Sequence, residues 1–218
     1  MAKPKSYRLL CPIARALDRV GDRWNLLILR DLHAGPARFG ELQAGLTGLA
    51  SNLLATRLEQ LQQDGLITHR PAPSGGHVYA LTSDGEATAP LLFDLAMLGG
   101  KYPAPDEVRR PGNLRTVAVT LKEALRRVAG PDDEIRAELV VDDEPFRITI
   151  GDAEVGVEYR ADPDAPLSIH TDYEALVDVG DGNMSAAEFG KQHVEVARGT
   201  KRAAKSLLRL MTRAFESS

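Results

Sequence analysis

At 218 residues the chain can hold one large domain or two small ones, and 43% apolar with 27% charged side chains is a globular composition that excludes disorder. No run of 18 or more apolar residues is present, which excludes a membrane-spanning helix on length, and a single cysteine excludes an intrachain disulfide framework. The net charge of −4 divides unevenly: residues 1–80 carry ten Lys and Arg against six Asp and Glu, whereas residues 104–218 carry 16 against 22. Such asymmetry fits a nucleic-acid module joined to a module of another kind. The opening Met1-Ala2-Lys3-Pro4-Lys5 is not apolar in the manner of a signal peptide, so a cytoplasmic protein is expected.

In chain order, Ile13, Ala16, Leu17 and Val20 recur at helical spacing, with Pro12 suited to the first helical position. Asp22 is a candidate cap for a second helix with Trp24, Leu27, Ile28 and Leu32 on its inner face. A short third helix fits Arg38 to Gln43, before the turn at Gly45 to Gly48. Leu54, Leu58 and Leu61 then form one apolar stripe, opposite Ser51, Asn52, Thr56, Arg57, Glu59 and Gln60. That opposite face is polar but lightly charged, which suits reading base edges.

Asp64-Gly65 stops this fourth helix, and the runs 66–70 and 77–81 read as strands around a Pro- and Gly-rich turn. Thr82 or Ser83 caps a fifth helix with Leu91, Leu95 and Leu98 on one face, kinked or restarted at Pro90. Its wide apolar stripe points to coverage by a second copy of the chain. Four prolines or glycines in residues 103–112 mark a linker, giving domains at 1–103 and 112–218.

The second half opens with a helix carrying Leu114, Val117, Leu121, Leu125 and Val128, after which the period changes to two. Strand runs end at Val141, Ile150 and Tyr159, with Asp142-Asp143 and Gly151-Asp152 as turns, and form an antiparallel meander. Leu167 and Ile169 suggest a fourth strand, Val194 and Val196 a fifth. Short helices are expected at 172–179 and 185–190. An amphipathic helix over about 200–215 carries Leu207, Leu208, Met211 and Phe215. The fold class is α+β: a winged helix-turn-helix domain, then an antiparallel sheet covered by helices.

Cys11-Pro12-Ile13, Gly21-Asp22-Arg23-Trp24, Leu26 to Leu32 and Arg38-Phe39-Gly40-Glu41-Leu42 resemble the HxlR family of bacterial winged-helix regulators. Ala50 to Leu58, Asp64-Gly65-Leu66-Ile67 and Tyr79-Ala80-Leu81-Thr82 continue the match, over about residues 8–102. The resemblance implies a homodimeric transcription factor with its fourth helix in the major groove and its wing beside the backbone. Many relatives have serine and lysine where this chain has Ala50 and Asn52, so the bases read are expected to differ. Residues 112–218 resemble the sterol carrier protein type-two fold in the order of elements and the closing apolar helix. That likeness implies an apolar pocket, for which Phe146, Ile148, Val157, Leu207 and Met211 are the candidate lining.

Ser51, Asn52, Thr56 and Arg57 are the candidate DNA-reading residues, with Arg38, Arg70 and His77 as backbone contacts. Cys11 stands at a helix start, near Lys5 and Arg8 in sequence, a setting that can make a thiol reactive. Some members of the resembled family sense oxidants or electrophiles there; otherwise Cys11 is a small buried residue. No catalytic function, metal or cofactor is expected, because the five histidines lack ligand spacing and no nucleophile or phosphate-loop motif occurs. Asp132 to Glu134 and Asp142 to Glu144 read as solvated turns. The sequence therefore points to a DNA-binding regulator, expected to be a repressor, acting on an operator as a homodimer. Its control would come from an apolar effector or Cys11. The alternative is a carrier or scavenger of apolar ligands whose winged helix serves dimerisation.

Overall fold

The computed structural model describes residues 6–102, 114–152 and 154–216. Its contacts divide the chain into two compact units, one ending at Thr88 and the other beginning at Ala89. The expected linker falls almost wholly on residues 103–113, outside the described residues.

The first unit contains α1 (Pro12–Val20), α2 (Arg23–His33), α3 (Phe39–Gly45) and α4 (Ser51–Gln63), then β1 (Ile67–Pro71), β2 (His77–Leu81) and α5 (Ser83–Glu86). Local chemistry sets the boundaries. Pro12 occupies the first position of α1, and Asp22 caps α2 by accepting the Trp24 N–H at 3.1 Å. Gly65 takes φ +76° after α4, a left-handed conformation that glycine adopts without steric cost. Ile28, Leu29, Leu32, Leu42, Leu54, Leu58, Leu61 and Ile67 form the core. Each such aliphatic side chain contributes about 1.5–3 kcal/mol by leaving water.

Two expected apolar stripes face outward. In α1, Ala14 and Val20 are buried while Ile13, Ala16 and Leu17 are open. Helical spacing fixes which residues share a face, not what covers that face. The fifth helix is also broken. Thr82 caps the short α5, and the helix restarts as α6 (Ala89–Gly99) with Pro90 in its first turn. The contacts place α6 with the second unit, whereas its sequence position groups it with the first. It buries Ala89, Leu92 and Phe93 and leaves Leu91, Leu95 and Leu98 exposed.

The second unit continues with α7 (Thr116–Val128), β3 (Ile135–Val141), β4 (Glu144–Gly151), β5 (Glu154–Glu158), β6 (Leu167–Thr171), α8 (Tyr173–Gly180), α9 (Ala186–Gln192), β7 (Glu195–Arg198) and α10 (Lys201–Glu216). The strand order is β5-β4-β3-β6-β7. The wholly antiparallel sheet needs correction: β6 pairs with β3 in parallel. The reason lies in the return from β5. Arg136 donates to both Asp162 carboxylate oxygens at 2.8 and 2.6 Å, and the Asp162 N–H donates to Glu138 Oε1 at 2.9 Å. These bonds draw residues 159–166 across the polar face, so the chain re-enters beside β3 running in the same direction.

The β3–β4 hairpin closes on Asp142 and Asp143 at φ +47° and +69°, the positive pair a type I′ turn requires. Ala137, Leu139, Phe146, Ile148, Val157 and Ile169 line the inner face, which α7 and α10 cover. Glu123 of α7 is buried, and Arg126 donates to both its oxygens at 2.7 and 2.8 Å. The Arg126 hydrogen bonds outweigh burial and hold the Glu123 carboxyl below its ordinary range. A depressed folded pKa stabilises above the unfolded value and loses that effect as pH falls through the folded one. The Glu123→Gln variant is thus expected to melt lower than wild type at neutral pH. The gap should narrow below pH ~4, as scanning calorimetry across pH would read.

Candidate nucleic-acid interface

Three ties position α4. Its apolar stripe, Leu54, Leu58 and Leu61, is sealed into the core. Arg19 of α1 pairs with Asp64 at the end of α4, and Arg57 pairs with Asp22 at the start of α2 at 2.6 Å. With the inner face fixed, Ser51, Asn52, Ala55, Thr56 and Glu59 lie exposed on the outer one. The Thr56 hydroxyl donates to the Asn52 carbonyl at 2.9 Å, while Asn52 Oδ1 accepts the Leu53 N–H at 2.8 Å. These local bonds are solvent-accessible and leave the face polar.

Arg57 departs from the others. Its guanidinium is engaged by Asp22, and its Nε is buried without a hydrogen-bond partner among the described residues. The polar stripe placed it on the reading face; the structure uses it as a strut between α2 and α4. An arginine four residues from a leucine core position can swing to either side, and the choice was set by the Asp22 cap.

The wing is a ribbon of β1 and β2, with Pro71 opposite His77, Arg70 opposite Val78 and His69 opposite Tyr79. Ala37 joins it through a single antiparallel bridge, exchanging hydrogen bonds with Tyr79 at 2.8 and 2.9 Å. Arg38 then reaches the tip, where Nη2 donates to the Gly75 carbonyl at 2.6 Å and to Ser74 Oγ at 3.0 Å. Gly76 is required there: its φ is +73°, and a Cβ would lie 2.6 Å from Arg38 Nη1. Arg38 therefore orders the wing. Removing it by Arg38→Ala is expected to cost about 0.5–1.5 kcal/mol locally. The check is faster amide hydrogen exchange at Gly75 with an unchanged global melting temperature.

Arg70 and His77 are both exposed, with alternation placing them on opposite faces of the ribbon. His69 escaped the sequence reading. It stacks on Tyr79 with centroids 4.4 Å apart and lies 5.0 Å from His77, so the three rings form a row. The signal was the hairpin register, which pairs residues whose numbers sum to a constant.

The remaining expected positions separate from this surface. Cys11 is half-buried at the N-cap of α1, where its side chain makes no capping bond; Lys5 lies outside the described residues. Phe146, Ile148, Val157, Leu207 and Met211 line no cavity of the kind expected, for they are fully buried and packed in the core of the second unit. The inner sheet face is filled by α7 and α10, which corrects the pocket assignment. Phe215 belongs to α10, but its side chain is not described. Among the described residues, no helix is long and apolar enough to cross a membrane. No group of three or more His, Cys, Asp or Glu among them is placed to hold a metal ion.

The model of the HxlR-like helix-turn-helix family matches residues 19–107. An uncharacterized HTH-type transcriptional regulator of Synechocystis sp. is 33% identical over 95 residues, covering 43% of this chain and 70% of that protein. The HTH-type regulator YvaP of Bacillus subtilis is 33% identical over 99 residues, covering 44% and 92% respectively. A solved structure, that of PA1607, shares 46% sequence identity over 47% of this chain and 73% of its own, with a TM-score of 0.43.

Proposed function

The chain belongs to the HxlR-like helix-turn-helix family of DNA-binding transcriptional regulators, and from that membership we propose that it is a cytoplasmic, non-catalytic repressor acting as a homodimer. One observation carries the reading of DNA through α4. Ser51, Asn52 and Thr56 stand open to solvent on a helix locked from behind by its leucine stripe and two ion pairs. Beside it in the same unit is a wing held at base and tip. A reading helix must present polar groups without rearranging, because each flexible side chain ordered on binding costs affinity. Arg70, His77 and the remaining N–H groups of Arg38 are assigned to phosphate.

In the proposed dimer two such helices enter successive major grooves, about 34–36 Å apart. The exposed apolar faces of α1 and α6 supply the surface for pairing. The second unit serves as the sensor of an apolar effector, and oxidation or alkylation of Cys11 is a second input. A pure carrier, with the winged helix used for pairing alone, leaves the polar outer face of α4 without a task and ranks behind.

The test is a gel shift with the DNA upstream of the protein's own gene, repeated across salt concentrations. A retarded band is expected, with log affinity falling against log salt by about 0.9 per phosphate contacted. A folded protein that binds none of that DNA, or binds it without salt dependence, would overturn the proposal. Retained response to oxidant in Cys11→Ser would remove the thiol input.

A further inference from the structure

Within the second unit, α6, α7 and α8 leave a groove of about 270 Å³, at the small end of the ~300–1,000 Å³ range of small-molecule sites. Phe93 and Met97 of α6, Leu121 of α7, and Leu176 and Val177 of α8 form its walls. The hydroxyl of Thr120, also in the lining, is spent on the Thr116 and Val117 carbonyls at 3.1 and 3.2 Å. Asp181, just past α8, is the charged residue lining this space. Among the described residues its carboxylate has neither a hydrogen bond nor an ion pair. It lies close against the end of α6, where a Cβ on Gly100 would sit 2.7 Å from Asp181 Oδ1.

Two cations, Arg127 and Lys101, line the adjoining space that Asp181 also borders, and Arg127 is already neutralised. Arg127 donates to Asp94 at 2.9 Å and to Glu123 at 3.2 Å, and its guanidinium lies 4.2 Å from the Phe93 ring centroid. Among the described residues that line the groove itself, the charge present is the Asp181 carboxylate. We propose that this groove binds a small lipophilic cation, with its apolar body between Met97, Leu121 and Leu176 and its charge against Asp181. The proposal names the effector class for the sensor unit and rests on that reading. Asp181 is exposed, yet partial burial, then the neighbouring Asp178 carboxylate, push its carboxyl up; a bound cation would offset both by favouring the charged form. A neutral ligand would desolvate the carboxylate without compensation, and an anion would be repelled. The Met97 thioether is a polarisable surface that suits an onium group.

The experiment is calorimetric titration of the full chain with benzyltrimethylammonium, using benzyl alcohol and phenylacetate as neutral and anionic comparators. The cation is expected to bind about tenfold more tightly than either. Asp181→Asn should abolish that preference. Gly100→Ala, which keeps the charge but displaces it, should weaken cation binding several-fold. Equal or tighter binding of a comparator, undiminished cation binding by Asp181→Asn, or no cation binding at ~10 mM by folded protein would overturn the proposal. The titration contains no DNA, so these outcomes are independent of the gel shift. A protein that shifts DNA but ignores the cation loses the groove assignment alone, and one that binds the cation without shifting DNA loses the regulator assignment alone.

Discussion

Leu10→Asp combined with Ile13→Asp is expected to render the protein monomeric and to abolish operator binding. In one copy of the chain Leu10 is 101% exposed, Ile13 71% and Leu17 43%. Leu10 just precedes α1, while Ile13 and Leu17 stand on adjacent turns of it; large aliphatic side chains clustered this way rarely stay in water, since burying each is worth about 1.5–3 kcal/mol. A symmetric pair buries every such residue twice. The double substitution therefore removes four apolar groups from the proposed interface and places four carboxylates there. It leaves the core of the unit untouched, because Ala14 and Val20 are the buried residues of α1. Sedimentation or light scattering should report the mass of one chain, with the far-UV spectrum unchanged. DNA affinity falls with it, because a single winged helix contacts one half-site and half the phosphates. A stable pair in the double variant would move the interface elsewhere; exposed Leu91, Leu95 and Leu98 of α6 are then the next residues to charge.

The second large effect separates reading from support within α4. Asn52→Ala with Thr56→Ala is expected to lower operator affinity by about 10² or more. Each good side-chain contact to a base edge is worth about 1–3 kcal/mol of discrimination, and both half-sites lose theirs. Both side chains are exposed and, among the described residues, bonded only within their own turn, so the melting temperature should stay within error of wild type. Arg57→Ala is expected to do the reverse in order of cause. It breaks the 2.6 Å pair with Asp22, frees the cap that begins α2, and lowers stability by roughly 1 kcal/mol before any effect on DNA. Paired melting and gel-shift measurements on the two variants decide the matter. Unchanged DNA affinity in the Asn52 and Thr56 variant would remove α4 as the reading helix. Unchanged stability with lost affinity in the Arg57 variant would return that arginine to the DNA.

What was legible in the chain and what was not follows from the range of each interaction. Pro12, Asp22, Gly65 and Thr82 act on backbone within a few residues, so helix starts and stops were open to reading from the sequence. Periods of 3.6 and 2 assigned Leu54, Leu58 and Leu61 to a buried helix face and Ala137, Leu139 and Val141 to a buried strand face. Decisions between distant residues were not legible. The parallel seating of β6 depends on Arg136 and Glu138 catching Asp162, 24 to 26 residues away. The engagement of Arg57 depends on Asp22, and the row of His69, Tyr79 and His77 on hairpin register.

The same limit explains the misplaced pocket. A sequence shows that Phe146, Ile148 and Met211 avoid water, but not whether the space beside them is filled; α7 and α10 fill it. The groove arises instead where α6, α7 and α8 meet imperfectly, with Asp181 at its edge. Local hydrogen bonds and side-chain period are properties of a short stretch, so the sequence by itself determined the elements and their inner faces. Cavities, ion-pair partners and strand order are properties of how those elements pack, and tertiary structure alone decided them.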